Sequence, residues 1–227
     1  MGTGTTKQAE KLVRALPGTH ELVVATALRH ASPGRRALDL GAGSGALAER
    51  LQGAGFHVTA ADVENYFGLD SEFLQLDLND PTFDRRLDAG FDLITCVEVI
   101  EHLENPTGFL RCIERLLKPD GVAILTTPNV ENVAARIKYF LRGEIRAMDK
   151  TAPEHITPIH LDLFMRQTIP RTGLKLVEHF VHPKGDFPLT GRKYFVPLFW
   201  AVMPFVKGPA LTGDCHVFVL KKTALGG

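Results

Sequence analysis

The sequence predicts an α/β domain, a mostly parallel sheet with helices on both faces. Three observations predict it. Apolar strand-like runs alternate with helix-periodic runs from Arg36 to Thr127, the pattern of parallel strands joined by crossover helices. The first run ends in a glycine-rich turn, Gly41-Ala42-Gly43-Ser44-Gly45, that leads straight into a helix. And 227 residues at 44% hydrophobic bury one core without disulfide or metal staples.

Taken in order, Lys7 to His30 carries Leu12, Val13, Leu16, Val23, Val24 and Leu28 at helical spacing, interrupted by Pro17-Gly18, so two short helices are expected. Arg36 to Leu40 reads as a strand and Ala46 to Leu51 as the helix after the turn. His57 to Ala61, Phe73 to Leu76 and Phe91 to Val99 read as further strands, the last bounded by Asp92 and Glu98. A helix follows in which Asn105 caps, Pro106 suits the first turn, and Phe109, Leu110, Ile113, Leu116 and Leu117 form the apolar face. Pro119-Asp120-Gly121 turns the chain into a strand over Val122 to Thr127. A helix is then expected over about Asn132 to Ala147, followed by a His- and Pro-rich stretch and two strand-like runs, Leu174 to Val181 and Cys215 to Leu220. The chain is read as one domain over 1–227, with N-terminal helices (1–35), a ligand-binding core (36–129), acceptor-side helices (130–173) and a C-terminal strand pair (174–227).

Lys plus Arg and Asp plus Glu each number 26, giving a net charge of 0 and a pI near 7.1. That lacks the basic excess of a phosphate-backbone binder, and nucleic acid is not the expected partner. Cys96, Cys112 and Cys215 form no CxxC pair and read as reduced thiols. Met1 to Glu10 has no apolar core of a signal peptide, and no apolar run reaches a spanning length of about 18 residues. A cytoplasmic location is therefore expected, with contact to a membrane surface as the variant.

Ligands of parallel sheets bind at the carboxyl ends of the strands. There the glycines of the turn let the backbone approach a ligand, and the following helix offers free amides and its positive end. Gly41-x-Gly43-x-x-Ala46, with Asp62 downstream, also satisfies a relaxed dinucleotide fingerprint. Asp39, just before the first glycine, separates the two ligands. A carboxylate there repels a pyrophosphate and attracts the ammonium group of an amino-acid moiety.

Five segments, LDLGAGSG, TAADV, LQLDLND, FDLITCVEVIEHLENP and LKPDGVAILTTPN, resemble in order and spacing the class I S-adenosylmethionine (SAM) dependent methyltransferases. The resemblance covers Arg36 to Asn129 and implies a Rossmann-like three-layer sandwich on a seven-stranded sheet whose last strand is antiparallel. It implies that Gly41, Ala42, Gly43 and Gly45 pack against SAM, that Asp39 sits near its amino group, and that Asp62 accepts both ribose hydroxyls with Val63 beside it. Asp77 matches the position that bonds the adenine amine, with Leu78 beside the ring, and Val97 and Glu98 would border the methionine end.

Glu98, Glu101 and His102 stand at i, i+3 and i+4, which one helical turn would bring to one face. Quinone-biosynthesis O-methyltransferases and small-RNA terminal 2'-O-methyltransferases carry such an E-x-x-E-H cluster with a later histidine as metal ligands. Here the later histidine is His155, or else His160. Glu98, Glu101, His102 and His155 are thus candidate ligands for Mg2+ or another divalent ion. Alternatively His102 or His155 acts as a metal-free base with Glu98 in the catalytic site, or Glu101 and His102 are only an ion-pair partner and a helix cap.

Past Asn132, the residues Val133, Ile137, Phe140 and Leu141 form an apolar stripe flanked by Lys138, Arg142 and Arg146. This helix and the apolar segment Tyr194 to Val206 are expected to pack on the core, ahead of lining an acceptor site or resting on a membrane. The expected activity is methylation of a small-molecule hydroxyl (a phenol, a sugar or a lipid-linked intermediate) by a monomer or homodimer. The rivals are an RNA terminal 2'-O-methyltransferase, a noncatalytic SAM-binding subunit, and a nicotinamide-dependent enzyme.

Overall fold

The computed structural model describes residues 15–31, 35–65, 73–183, 201, 203–205, 207–208 and 210–223. The first of the two expected N-terminal helices, and most of the apolar segment Tyr194 to Val206, lie outside the described residues.

The elements are α1 (Thr19–His30), β1 (Arg36–Leu40), α2 (Ala46–Gly53), β2 (His57–Asp62), β3 (Phe73–Gln75), β4 (Phe91–Val97), α3 (Pro106–Leu116), β5 (Leu117–Pro128), α4 (Val133–Arg142), β6 (Leu174–His182) and β7 (Cys215–Lys222). A short segment of mixed helical winding spans Leu161 to Arg171. All seven strands form one sheet in the order β3-β2-β1-β4-β5-β7-β6. The first five are parallel, and β7 runs antiparallel to both β5 and β6.

Alternation along the strands divides the core into two layers. Ala37, Val58, Ala60, Leu93, Val122, Ile124 and Val217 pack with Val23 and Ala27 of α1 and Leu47 and Leu51 of α2. Leu38, Leu40, Ile94, Cys96, Ala123, Leu125 and Phe218 pack with Phe109, Leu110 and Ile113 of α3 and with Leu161 and Phe164. The expected capping of α3 is present: Asn105 Oδ1 accepts from Gly108 N at 2.9 Å, with Pro106 in the first turn.

Leu117, read as part of the apolar face of α3, instead opens β5, and three boundaries differ more widely from the sequence reading. The strand expected over Phe91 to Val99 ends at Val97 because Glu98 adopts φ 56°. The expected turn at Pro119-Asp120-Gly121 is a bulge inside β5, which pairs Leu117 with Phe91 and resumes with Val122 opposite Leu93. The helix expected to reach Ala147 stops at Arg142, where Gly143 takes a left-handed C-cap at φ 66°.

In this strand order the chain leaves β1 toward β2 on one side and β4 on the other, opening a crevice beyond the carboxyl ends of β1 and β4. Among the described residues, no helix is long and apolar enough to cross a membrane.

Candidate active site

The glycine turn occupies that crevice, and its members have separate tasks. Gly41, at φ 74°, faces the protein: a Cβ there would stand 2.4 Å from Val99 Cγ2. Gly43, at φ 51°, faces open space, with nothing within 4 Å of a Cβ. Gly45 begins α2 in the left-handed conformation. The turn thus keeps one bare backbone surface toward the crevice, directly before the amides of a helix N-terminus.

Two carboxylates frame it. Asp62, ending β2, accepts from Gly43 N at 2.7 Å through Oδ2 and from Val63 N at 2.7 Å through Oδ1. It fastens the turn while each oxygen keeps a further lone pair. Asp39 is buried opposite Thr95, its register partner in β4. Its Oδ1 accepts from Thr95 Oγ1 at 2.8 Å, and its Oδ2 has no partner. Burial, with the charge of Asp62 adding to it, raises the Asp39 pKa to about 7. A buried carboxylate with one bare oxygen fits a cationic partner such as an ammonium group. Thr95 was not singled out from sequence, although its place on β4 opposite Asp39 is the signal that could have found it.

Farther along the crevice, Asp77 is exposed, and its Oδ1 accepts from Asn79 N at 2.9 Å in a local turn. Leu78 beside it is buried. Val63 is 46% exposed, Val97 is half-buried at the end of β4, and Ala42 is buried in the turn.

The E-x-x-E-H segment is built differently from the helical turn its spacing predicts. Glu98 lies in the left-handed region, and only Ile100–His102 wind, as a 3-10 turn. The Glu98 amide donates to the Thr126 hydroxyl at 3.1 Å. Burial raises the Glu98 pKa to about 7, against the influence of Thr126 and Arg146. A non-glycine residue held at positive φ at the end of a strand costs on the order of 1 kcal/mol and is typical of a functional site.

Glu101, His102 and His155 come together instead, each offering a ligand atom within 4.8 Å of the others. Glu98 and His160 lie outside this group. His160 is on the surface, its Nδ1 3.7 Å from Glu131 Oε1. What carries His155 in is the backbone: the amides of Ile156 and Thr157 both donate to the Glu101 carbonyl at 2.9 Å.

Second contacts fix the tautomers. His102 Nδ1 lies 3.1 Å from the Glu154 carbonyl and His155 Nδ1 lies 2.6 Å from the Ala147 carbonyl. A carbonyl only accepts, so each Nδ1 donates in these contacts. The rings meet edge to face, centroids 4.6 Å apart. Burial, and the neighbouring His155, lower the His102 pKa. Glu101 is fully buried, neither carboxylate oxygen has a hydrogen-bond partner, and burial raises its pKa well above the usual range. An orphaned carboxylate beside two imidazoles is chemically fitted to take a proton or a cation.

The sequence reading also missed Arg146 and Asp214 as a pair. Arg146, read as a basic flank of α4, bonds Asp214, and both act on Glu98. Nothing around Asp214 in the sequence signals this.

A methyltransferase-domain family model matches residues 12–179. The chain belongs to the class I SAM-dependent methyltransferases. A ubiquinone biosynthesis O-methyltransferase of Xanthomonas oryzae pv. oryzae is 37% identical over 106 residues, 42% of this chain and 44% of that one. A protein of the same description from Marinobacter nauticus is 33% identical over 107 residues, 42% and 45% of the two chains. The match thus spans less than half the length of these relatives. Solved structures match over about nine-tenths of the chain. A methyltransferase structure from Bacillus halodurans superposes with a TM-score of 0.62 at 16% identity, covering 88% of this chain and 99% of that one. The 1,6-didemethyltoxoflavin-N1-methyltransferase of Burkholderia thailandensis, solved with S-adenosylhomocysteine, gives 0.59 at 16% identity over 90% and 78%.

Proposed function

We propose that this methyltransferase moves the methyl group of SAM to a hydroxyl oxygen of a small molecule, and that Glu101, His102 and His155 receive the hydroxyl proton. The observation that carries the reading is the cluster itself: an unpartnered buried carboxylate beside two imidazoles whose Nδ1 atoms contact backbone carbonyls.

SAM carries its own leaving group, so the protein must align the acceptor and manage one proton. As the acceptor oxygen bonds the methyl carbon, the carbon–sulfur bond breaks and its electron pair stays on sulfur, leaving neutral S-adenosylhomocysteine. The hydroxyl proton passes to Nε2 of His102 or His155. Asp39, Gly43 and Asp62 hold the cofactor, in the roles of ammonium partner, bare backbone surface and ribose acceptor.

The same donors fit a divalent cation. Glu101 and the Nε2 atoms of His102 and His155 would hold Mg2+ or a similar ion, which when bound lowers the pKa of a coordinated hydroxyl. Glu98, outside the three-residue group, then keeps its place beside Thr126 at the methionine end of the cofactor site.

The match to O-methyltransferase relatives supports oxygen as the methylated atom. Incubation with tritiated SAM and a probe set of 3,4-dihydroxybenzoate, glucose and 4-aminobenzoate tests this. Label recovered as a methyl ether supports the reading, and label recovered only on the amine contradicts it.

A further inference from the structure

The carbonyl that holds His155 belongs to a residue in a costly conformation. Ala147 lies in the left-handed region at φ 61°, where a Cβ crowds the backbone. Its oxygen accepts from His155 Nδ1 at 2.6 Å. A strained residue of this kind persists only where its surroundings impose it, and such residues gather at functional sites. From Ile145 to His155 the chain runs through successive turns, in which the amides of Met148, Ala152 and His155 donate to the carbonyls of Ile145, Asp149 and Ala152. A run of single turns fixes the direction of one carbonyl weakly, so anchors outside it decide.

Two anchors flank Ala147. On one side Asp149 pairs with Lys138 of α4. On the other, and adjacent, Arg146 pairs with Asp214 and reaches the Asn129 carbonyl at 3.5 Å. The Arg146 anchor is set in a buried polar node. Asp214, just before β7, Asn129, just after β5, and Asn132, the cap of α4, are all buried. The Asn129 amide donates to the Asp214 carbonyl at 2.8 Å, and the Asp214 amide to the carbonyl of His182 at the end of β6 at 2.7 Å. Asn129 Nδ2 donates to the Ala210 carbonyl at 2.9 Å and Asn132 Nδ2 to the Gly213 carbonyl at 2.8 Å. One guanidinium thus ties the segment that carries the Ala147 carbonyl to the place where β5, β6, β7 and α4 meet.

We propose that Arg146 is a positioning residue for His155: its ion pair with Asp214 holds Ala147 left-handed, so that the Ala147 carbonyl fixes the orientation and tautomer of the ring. In a neutral ring an Nδ1 that donates leaves Nε2 as the nitrogen open to a proton or a cation. The role rests on the reading of His155 as proton or cation acceptor, and its first test is independent of turnover.

That test follows the tautomer in the full chain labelled with 15N-histidine, with His155→Ala to assign the signals. At about pH 8.5, where imidazole is ordinarily neutral, long-range proton–nitrogen spectra separate the two forms. Wild-type His155 should be the Nδ1–H form. Arg146→Lys keeps a charge on Asp214 without the guanidinium fork, and the paired Arg146→Gln/Asp214→Asn chain strands no buried charge. In both, the ratio of Nδ1–H to Nε2–H at His155 should fall about fivefold or more, while His30 and His57, remote from the segment, keep their signals and circular dichroism is unchanged. Turnover with 3,4-dihydroxybenzoate then separates positioning from mere support. Arg146→Lys should lower kcat about tenfold or more, but less than about twofold in a His155→Ala background. An equal loss in both backgrounds would mean that Arg146 acts through Glu98 or the fold, and would overturn the proposal. So would a wild-type His155 in the Nε2–H form, or a His155 tautomer unmoved in both Arg146 variants. A wild type without turnover counts against the proposed chemistry, and the tautomers then decide the role of Arg146 alone.

Discussion

Asp62 Oδ2 accepts the Gly43 amide at 2.7 Å, joining the end of β2 to the turn after β1 across 19 residues of sequence. The carboxylate read as a ribose acceptor therefore also shapes the glycine turn, the surface proposed for the cofactor. Asp62→Ala should lose both contributions at once. Hydrogen bonds to a charged group are worth about 1.5–3 kcal/mol each, so calorimetry with S-adenosylhomocysteine should show affinity reduced by about tenfold to a hundredfold or more. Unchanged affinity would remove Asp62 from the site.

As the proposed ammonium partner, Asp39 should make cofactor affinity depend on pH. With its pKa raised to about 7, the ligand-free carboxyl is protonated below neutrality, whereas an ammonium partner requires the anion. Affinity for S-adenosylhomocysteine should rise about tenfold per pH unit toward pH 7 and level off above it. Asp39→Asn retains an acceptor for Thr95 but no charge, so it should flatten the profile at low affinity. Because the folded pKa lies above the unfolded value of 3.8, this carboxyl lowers stability as pH rises through 7. Asp39→Asn should accordingly unfold at a higher temperature than wild type at pH 8.

Glu101→Gln and His102→Ala separate chemistry from cofactor binding. Removing a positioned acid–base group costs about 10²–10⁴-fold in rate. Both variants should bind S-adenosylhomocysteine as wild type does and lose turnover by at least the lower figure, measured as tritium transfer from SAM. Full activity in His102→Ala would end its role as proton acceptor.

His216 links stability to acid. It is fully buried in β7, its Nδ1 3.0 Å from His179 Nε2 and its own Nε2 unpartnered. Burial, with His179 beside it, lowers its pKa from 6.5 to about 3. Between those values the unfolded chain binds the extra proton, so stability falls as pH drops through this window. Urea unfolding should show a loss of about 1.5 kcal/mol from this group between pH 6.5 and pH 5. His216→Asn should reduce the slope by that amount.

The order of elements was legible because local signals and burial agree along most of the chain. Asn105 and Pro106 announce α3, alternating apolar residues announce β4 and β5, and the glycine turn announces the crevice. Where the reading failed, contacts between distant segments overrode local spacing. Glu98 and Glu101 stand three apart, which suggests one helical face, yet Glu98 is held to Thr126 of β5 in a left-handed conformation and only Glu101 reaches the histidines. His155 arrives 53 residues after His102 through backbone bonds from Ile156 and Thr157 to Glu101, contacts that no side-chain pattern encodes. The stripe on α4 gave the right helix and the right environment for Val133, but the wrong one for Phe140 and Leu141, which are exposed. Periodicity tells which residues share a face, not whether that face is covered.

In the proposed reaction the methyl group is delivered to an acceptor whose proton is taken by Glu101, His102 and His155. A crystal structure of the full chain with S-adenosylhomocysteine tests it most directly. The sulfur should aim into an open space lined by the Glu101 carboxylate and the Nε2 atoms of His102 and His155, with the amino group at Asp39 and the ribose at Asp62. A sulfur walled off from those three residues by protein would contradict it.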